Sequence, residues 1–293
     1  MRQMIFGTDW WTDCDDAVAL RLLTRYVKQK KVKLLGIAIN ACMEYSVASL
    51  KGFLEADGVK DVPIGIDLSA TDFGGTPSYQ KNLATRFCPT GSNADAEDAV
   101  RLYRRLLAKS EGSVELVEVG FLQVVTALLE SGADDLSPLS GIELVKEKVS
   151  KIWVMAGKWD ADGEREHNFC LNPRTRAAGK AFCELCPVPV TFLGWEVGHT
   201  VISGCEVDHD DHLYGVLCDH GSKNGRSSWD PMLMLMALIG DEHEAGYDTV
   251  VGHASVDAED GANHFVPDPN GGHRFVVKRY ADDYYERQIN RLL

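Results

Sequence analysis

Four carboxylates crowd into eight residues near the N-terminus, at Asp9, Asp13, Asp15 and Asp16 in the segment GTDWWTDCDDAVAL. The segment follows a β-rich run and opens an apolar helical pattern, which puts the acids at the carboxyl end of a strand, where parallel sheets bind ligands. Asp15 and Asp16 could answer the positive end of the helix dipole by themselves. Asp9 and Asp13 need another cause, because gathering four anions is costly unless a cation neutralises them. All-oxygen ligands point to calcium or magnesium, and a crowded carboxylate set suits calcium better. The chemistry expected of such a cluster is the binding of a divalent cation.

Short β-rich runs alternate along the chain with longer helical patterns. The strands read as Met4–Thr8, Lys33–Ile39, Val114–Val119, Lys151–Met155 and Val188–Leu193. The helices read as Ala17–Lys28, Ser46–Asp57, Ala94–Ala108, Leu122–Glu130 and Pro173–Cys186. This order predicts an α/β fold, an open and mostly parallel sheet with flanking helices. Residues 70–89 and 256–274, with their Gly, Pro, Ser, Thr and Asp content, read as loops. No repeat or composition break divides the chain, so residues 1–293 are expected to form a single domain.

A formal net charge of −14, with no Lys/Arg stripe to offset it, argues against nucleic acid or an anionic membrane surface as partner. The start MRQMIFGTDWW lacks a signal-peptide core, and no run approaches the roughly 20 apolar residues of a membrane span. A soluble cytoplasmic protein is expected. Its eight cysteines are scattered, and those at Cys14, Cys170 and Cys205 read as reduced core thiols. The lone pair Cys183 and Cys186 reads as helix-end thiols rather than half a zinc site. The stretch Asp208 to His212 reads as solvated acids opening a helix, and Met232 to Met236 as core packing.

A strand, an Asp, a short turn and then Asp15-Asp16-Ala17 at a helix start resembles the N-terminal motif of the nucleoside hydrolase family. Other segments resemble that family in the same order. They are Asn40 ahead of a helix, Val62-Pro63-Ile64, the turn Gly120-Phe121-Leu122-Gln123, the strand end Met155-Ala156-Gly157, Glu166-His167-Asn168, Asn172-Pro173 and Trp229-Asp230-Pro231. The resemblance implies a Rossmann-like fold and calcium-dependent cleavage of the N-glycosidic bond of a ribonucleoside or related N-riboside. It implies Asp9 as metal ligand and general base, Asp16 and Asp230 as carboxylate ligands, and Gln123 as a backbone carbonyl ligand, with Asp13 as the additional Asp of the longer turn. Asp15, Asn40, Glu166 and Asn168 would bind the ribose, and Trp229 would stack on or hydrogen-bond to the base. A homodimer or homotetramer follows by analogy.

The chain departs from the family pattern at three places. Gly7 stands where an acid is usual, the Trp10-Trp11 turn is longer, and Trp229 replaces the His that often protonates the departing base. Trp10 and Trp11 could stack on a base or sugar, or could belong to the core. Asp230, just before Pro231, also fits an N-cap with Pro at the first helical position. Two rival functions follow. One is another metal-dependent hydrolase of the aspartyl phosphotransfer kind, although Asp-x-Asp is absent at Asp9. The other is a non-catalytic or weakly active descendant that binds metal and a sugar or nucleoside.

Overall fold

The computed structural model describes all 293 residues. Its strands are β1 (Arg2–Thr8), β2 (Val32–Ile39), β3 (Ile64–Ile66), β4 (Glu97–Asp98), β5 (Val114–Glu118), β6 (Val149–Met155), β7 (Glu164–Arg165), β8 (Val190–Leu193), β9 (Ile202–Ser203), β10 (Arg226–Ser227), β11 (Tyr247–Val256), β12 (Ala262–Pro267) and β13 (His273–Lys278). Eleven of them form one sheet in the order β4-β3-β2-β1-β5-β6-β8-β13-β11-β12-β7, and β9 and β10 make a separate ribbon. Pairing is parallel from β4 through to β13. The edge β11-β12-β7 is antiparallel.

The central strands are apolar and buried, as parallel strands covered by helices on both faces must be. Met4 to Thr8 of β1 and Ile152 to Met155 of β6 are all buried. From β1 the chain winds outward through β2, β3 and β4, then returns to the other side of β1 with β5 and continues to β6 and β8. The order reverses between β1 and β5. A crevice opens at the carboxyl ends of strands at such a reversal, so topology alone places a ligand site beside residues 8–9 and 118–120.

Two helices on one face complete that edge. Asp15–Lys28 packs against Trp229–Ile239, in which Pro231 to Leu238 are all buried, and this accounts for the methionine run. Both helices carry acids in their first turns, Asp15 and Asp16 on one and Asp230 on the other. No helix is long and apolar enough to cross a membrane.

Several local expectations change. The helix expected from Ala94 begins at Ala99, because Asp98 caps it by accepting the Arg101 N–H at 2.9 Å, and the residues before it form a 3₁₀ turn and β4. The segment 70–89 contains a helix, Gln80–Phe87, and 256–274 contains β12, an antiparallel strand near the sheet edge that tolerates its terminal Pro267. Cys205 is exposed rather than core.

Asp211 and His212 are not simply solvated. Arg21, 1% exposed, donates to Asp211 at 2.6 and 2.9 Å and lies 2.9 Å from Asp57, while His212 Nε2 is 3.1 Å from the same Asp57 carboxylate. Burial would raise both carboxyl pKa values. The His212 hydrogen bond and Arg21 charge outweigh it at Asp57, and Arg21 outweighs it at Asp211, so both lie below their ordinary value.

Arg21→Met is expected to cost about 3–5 kcal/mol in urea unfolding, because it strands two carboxylates against the core. With folded-state pKa values depressed, the network's stabilisation is present above the ordinary carboxylate range near 4 and is lost as pH falls below it. Equal stability of wild type and variant at neutral pH would refute the role given to Arg21.

Candidate active site

β1 ends at Thr8, and the next residues turn sharply. Trp10 adopts a positive φ of 45°, a conformation that a bulky side chain enters only when its surroundings hold it. The hold is visible. The Trp10 N–H donates to Thr8 Oγ1 at 3.0 Å and to Asp16 Oδ1 at 3.3 Å, the Gln80 amide donates to the Trp10 carbonyl, and the indole N–H donates to Ser49 at 2.8 Å. Trp10 is therefore core, edge-on to Phe53 and Tyr79. Trp11 takes the other course and borders a cavity of about 320 Å³ at the carboxyl edge of the sheet.

That cavity is bordered by Asp9, Asp13, Asp15, Asp16 and Asp230, and by Glu166 and Asn168. Ligand oxygens of Asp15, Asp16 and Asp230 all lie within 4.8 Å of one another, and the three residues are buried. Asp16 accepts the Thr8 hydroxyl, and Asp15 accepts the Asp230 N–H at 3.2 Å. Ser228, not Asp230, occupies the N-cap, which leaves the Asp230 carboxylate to the cavity. Burial, then mutual repulsion, raises Asp9, Asp15 and Asp230 well above the usual carboxylate range, and Asp16 rises chiefly through burial to about 6. The cluster suits a hard cation chemically, since oxygen ligands of like charge are crowded together with no side-chain cation inserted between them.

Asp13 stands apart from this trio. Its carboxylate is gripped by Arg226 at 2.5 and 2.9 Å, with His220 at 3.7 Å. Burial would raise its pKa, but Arg226 outweighs burial and lowers it. Asp13, expected as a metal ligand, is paired with Arg226, a contact that becomes visible only when β10 brings residue 226 to residue 13.

Gln123 opens the helix Gln123–Glu130 and does not border the cavity, where Val119 stands instead. The Gln123 side-chain amide donates to the Asn40 carbonyl. Asn40 is buried behind the wall. Its Oδ1 accepts the Phe121 N–H at 3.1 Å, while its Nδ2 has no partner. Asn168 Nδ2 donates to the carbonyls of Met155 at 2.8 Å and Val119 at 3.2 Å. Glu166 accepts the N–H groups of Gly157 and Asn168 at 2.9–3.0 Å, and burial pushes it up to about 7. Trp229 borders the cavity too, with its indole N–H donated to the Trp195 carbonyl at 2.8 Å and Arg226 5.3 Å from its ring.

Three contributors were not singled out from the sequence. Arg226 and His167 both border the cavity, the latter lying unremarked between Glu166 and Asn168. The third is Glu118. It pairs with Gly7 across β1 and β5, and a Cβ at residue 7 would fall 1.8 Å from its Oε2. The Glu118 carboxylate occupies the space that a side chain at residue 7 would fill. Glu118 is buried, accepts the Tyr103 hydroxyl at 2.5 Å, and is pushed up to about 7 by burial despite that bond. Gly120 is needed two residues on, since a Cβ there would fall 2.3 Å from the Asp9 nitrogen.

Because Glu118 is protonated in the folded protein until about pH 7 but ionises near 4.5 when unfolded, it makes the fold less stable as pH rises between those values. The loss is on the order of 3 kcal/mol. Glu118→Gln should remove it, so the variant gains on wild type in chemical unfolding as pH goes from acid to neutral. A difference independent of pH would disprove the assignment.

No family model matches the sequence, and no curated protein matches it. Solved structures do. An inosine-uridine preferring nucleoside hydrolase from Bacillus anthracis is similar over 100% of this chain and 99% of its own, with a TM-score of 0.70 at 15% identity. The type III effector XopQ, solved with adenosine diphosphate ribose, is similar over 99% of this chain and 93% of its own, with a TM-score of 0.68 at 15% identity. The effector XOO4466 gives a TM-score of 0.69 at 14% identity over 99% of this chain and 92% of its own. The chain has the nucleoside hydrolase fold.

Proposed function

We propose that the protein is a calcium-dependent hydrolase of the N-glycosidic bond in a ribonucleoside or related N-riboside. The observation that carries this reading is the buried trio Asp15, Asp16 and Asp230, with Asp9 beside it, at the strand-order reversal of this fold. Asp16 and Asp230 would hold the ion together with Asp9 and Asp15. When bound, calcium supplies the positive charge that neutralises these carboxylates and makes a neighbouring water more acidic.

Cleavage of the bond between C1′ and the base nitrogen passes through an oxocarbenium-like sugar. Asp9, whose affinity for a proton is raised by burial and then by its anionic neighbours, takes the proton of the attacking water. The remaining carboxylates favour the positive sugar as it forms. Asp15, Glu166 and Asn168 border the cavity and would fix the 2′- and 3′-hydroxyls, while Asn40, with an unpartnered Nδ2, would support them from the layer behind. Trp11 and Trp229 offer aromatic faces to the base.

One observation favours a second reading, binding of a ribose-containing ligand without turnover. XopQ shares the fold and was solved with adenosine diphosphate ribose. Ligand binding without release of free base or reducing sugar would select it.

Asp16→Ala should abolish calcium binding, read by titration calorimetry, together with release of base. Wild-type protein that neither contains a divalent ion nor is stabilised by added calcium would end the metal reading. The sugar pocket should also discriminate strongly. Loss of the 2′-hydroxyl leaves buried polar groups unmatched, so 2′-deoxynucleosides should react more slowly by as much as about 10⁴-fold. Equal turnover of ribo- and deoxyribonucleosides would show that the hydroxyl contacts are misassigned.

A further inference from the structure

Breaking the C1′–N bond leaves an electron pair on the base nitrogen, and an ordinary base departs slowly unless that nitrogen is protonated. Trp229 cannot supply the proton, because an indole N–H does not ionise near neutral pH and this one is already donated to the Trp195 carbonyl. Arg226 is always charged and is held by Asp13. Glu166 accepts backbone N–H groups on both of its oxygens.

His167 is placed differently. It is the first residue of the short helix His167–Cys170 and is exposed at the cavity. Its ring is stacked on Trp11, with centroids 5.8 Å apart and planes 17° apart, and Phe121 lies 5.9 Å away. These two aromatics fix the ring without using its nitrogens. Desolvation by the atoms packed around it lowers its pKa, and the Asp13 carboxylate acts the other way. The other charged or titratable groups that face the same cavity are Glu166, Asp9, Asp15, Asp16, Asp230 and Arg226.

Resting on the N-glycosidase reading above, we propose that His167 is the catalytic acid that protonates the departing base. As the C1′–N bond breaks, its electron pair passes to the base nitrogen, which takes the proton from the His167 imidazolium. Water adds to C1′ and its proton goes to Asp9. Return of that proton to solvent, and uptake of one by His167, restores the site. The overall change is one water consumed for one base and one sugar released.

The test compares inosine with p-nitrophenyl riboside, whose leaving group needs no proton. His167→Phe keeps an aromatic ring against Trp11, and His167→Gln keeps polarity without an acid. Both variants should lose about 10²–10⁴-fold in kcat on inosine, retain wild-type kcat on the activated riboside, and bind calcium as wild type does. Wild-type turnover of inosine should also fall as pH rises through the His167 pKa, below its ordinary value of 6.5, with no such fall for the activated riboside. Equal losses on both substrates, or no loss on inosine, would overturn the proposal. Wild type that cleaves only the activated riboside overturns the acid and leaves the reaction class standing. Wild type that cleaves neither overturns both.

Discussion

Repulsion among buried carboxylates is the constraint around which the rest is arranged. Asp15, Asp16 and Asp230 sit with ligand oxygens within 4.8 Å of one another in a place where burial and mutual charge oppose ionisation. Nothing in their own segments requires this. Two helices packed side by side on one face of the sheet, each with acids in its first turn, bring them together. The positive ends of those helices offset part of the repulsion, and the Thr8 hydroxyl and the Asp230 N–H offset a little more. The remainder is what a divalent cation would relieve, so the cluster reads as a site rather than as a surface.

Around that centre the fold separates charges that do not belong in it. Asp13 is drawn off by Arg226, which β10 carries to the mouth of the cavity, and the guanidinium then rests near the ring of Trp229. Glu118 enters the slot that the absent side chain of Gly7 leaves between β1 and β5, and Tyr103 holds it there. These two arrangements have opposite electrostatic outcomes. Asp13 is held towards its anion because a cation touches it, whereas burial biases Glu118 towards its neutral form and the Tyr103 hydroxyl offsets only part of that.

The paired tryptophans show how one backbone feature assigns two roles. The left-handed turn at Trp10 sends that ring into the core beside Phe53 and Tyr79, and its neighbour then borders the cavity beside His167. A φ of this sign at a bulky residue is unfavourable by itself, and here its N–H is bonded by the Thr8 hydroxyl and by Asp16, a member of the acidic cluster. The strained turn and the acidic cluster therefore depend on the same atoms.

By itself the sequence determined the alternation of strands and helices, hence a mostly parallel sheet, because hydrophobic period and turn chemistry are local properties. It also determined that the acids from Asp9 to Asp16 lie at a strand's carboxyl end, since strand, turn and helix start are contiguous there. The tertiary structure decided the partners. Arg226 reaches Asp13 across more than two hundred residues, Glu118 fills the space beside Gly7, and Val119 rather than Gln123 borders the cavity. It also turned Asp211 and His212 from expected surface into partners of buried Arg21 and Asp57. Such contacts depend on strand order, helix packing and the register of β1 against β5. Those are settled by burial of the whole core at once, so no window of neighbouring residues contains them.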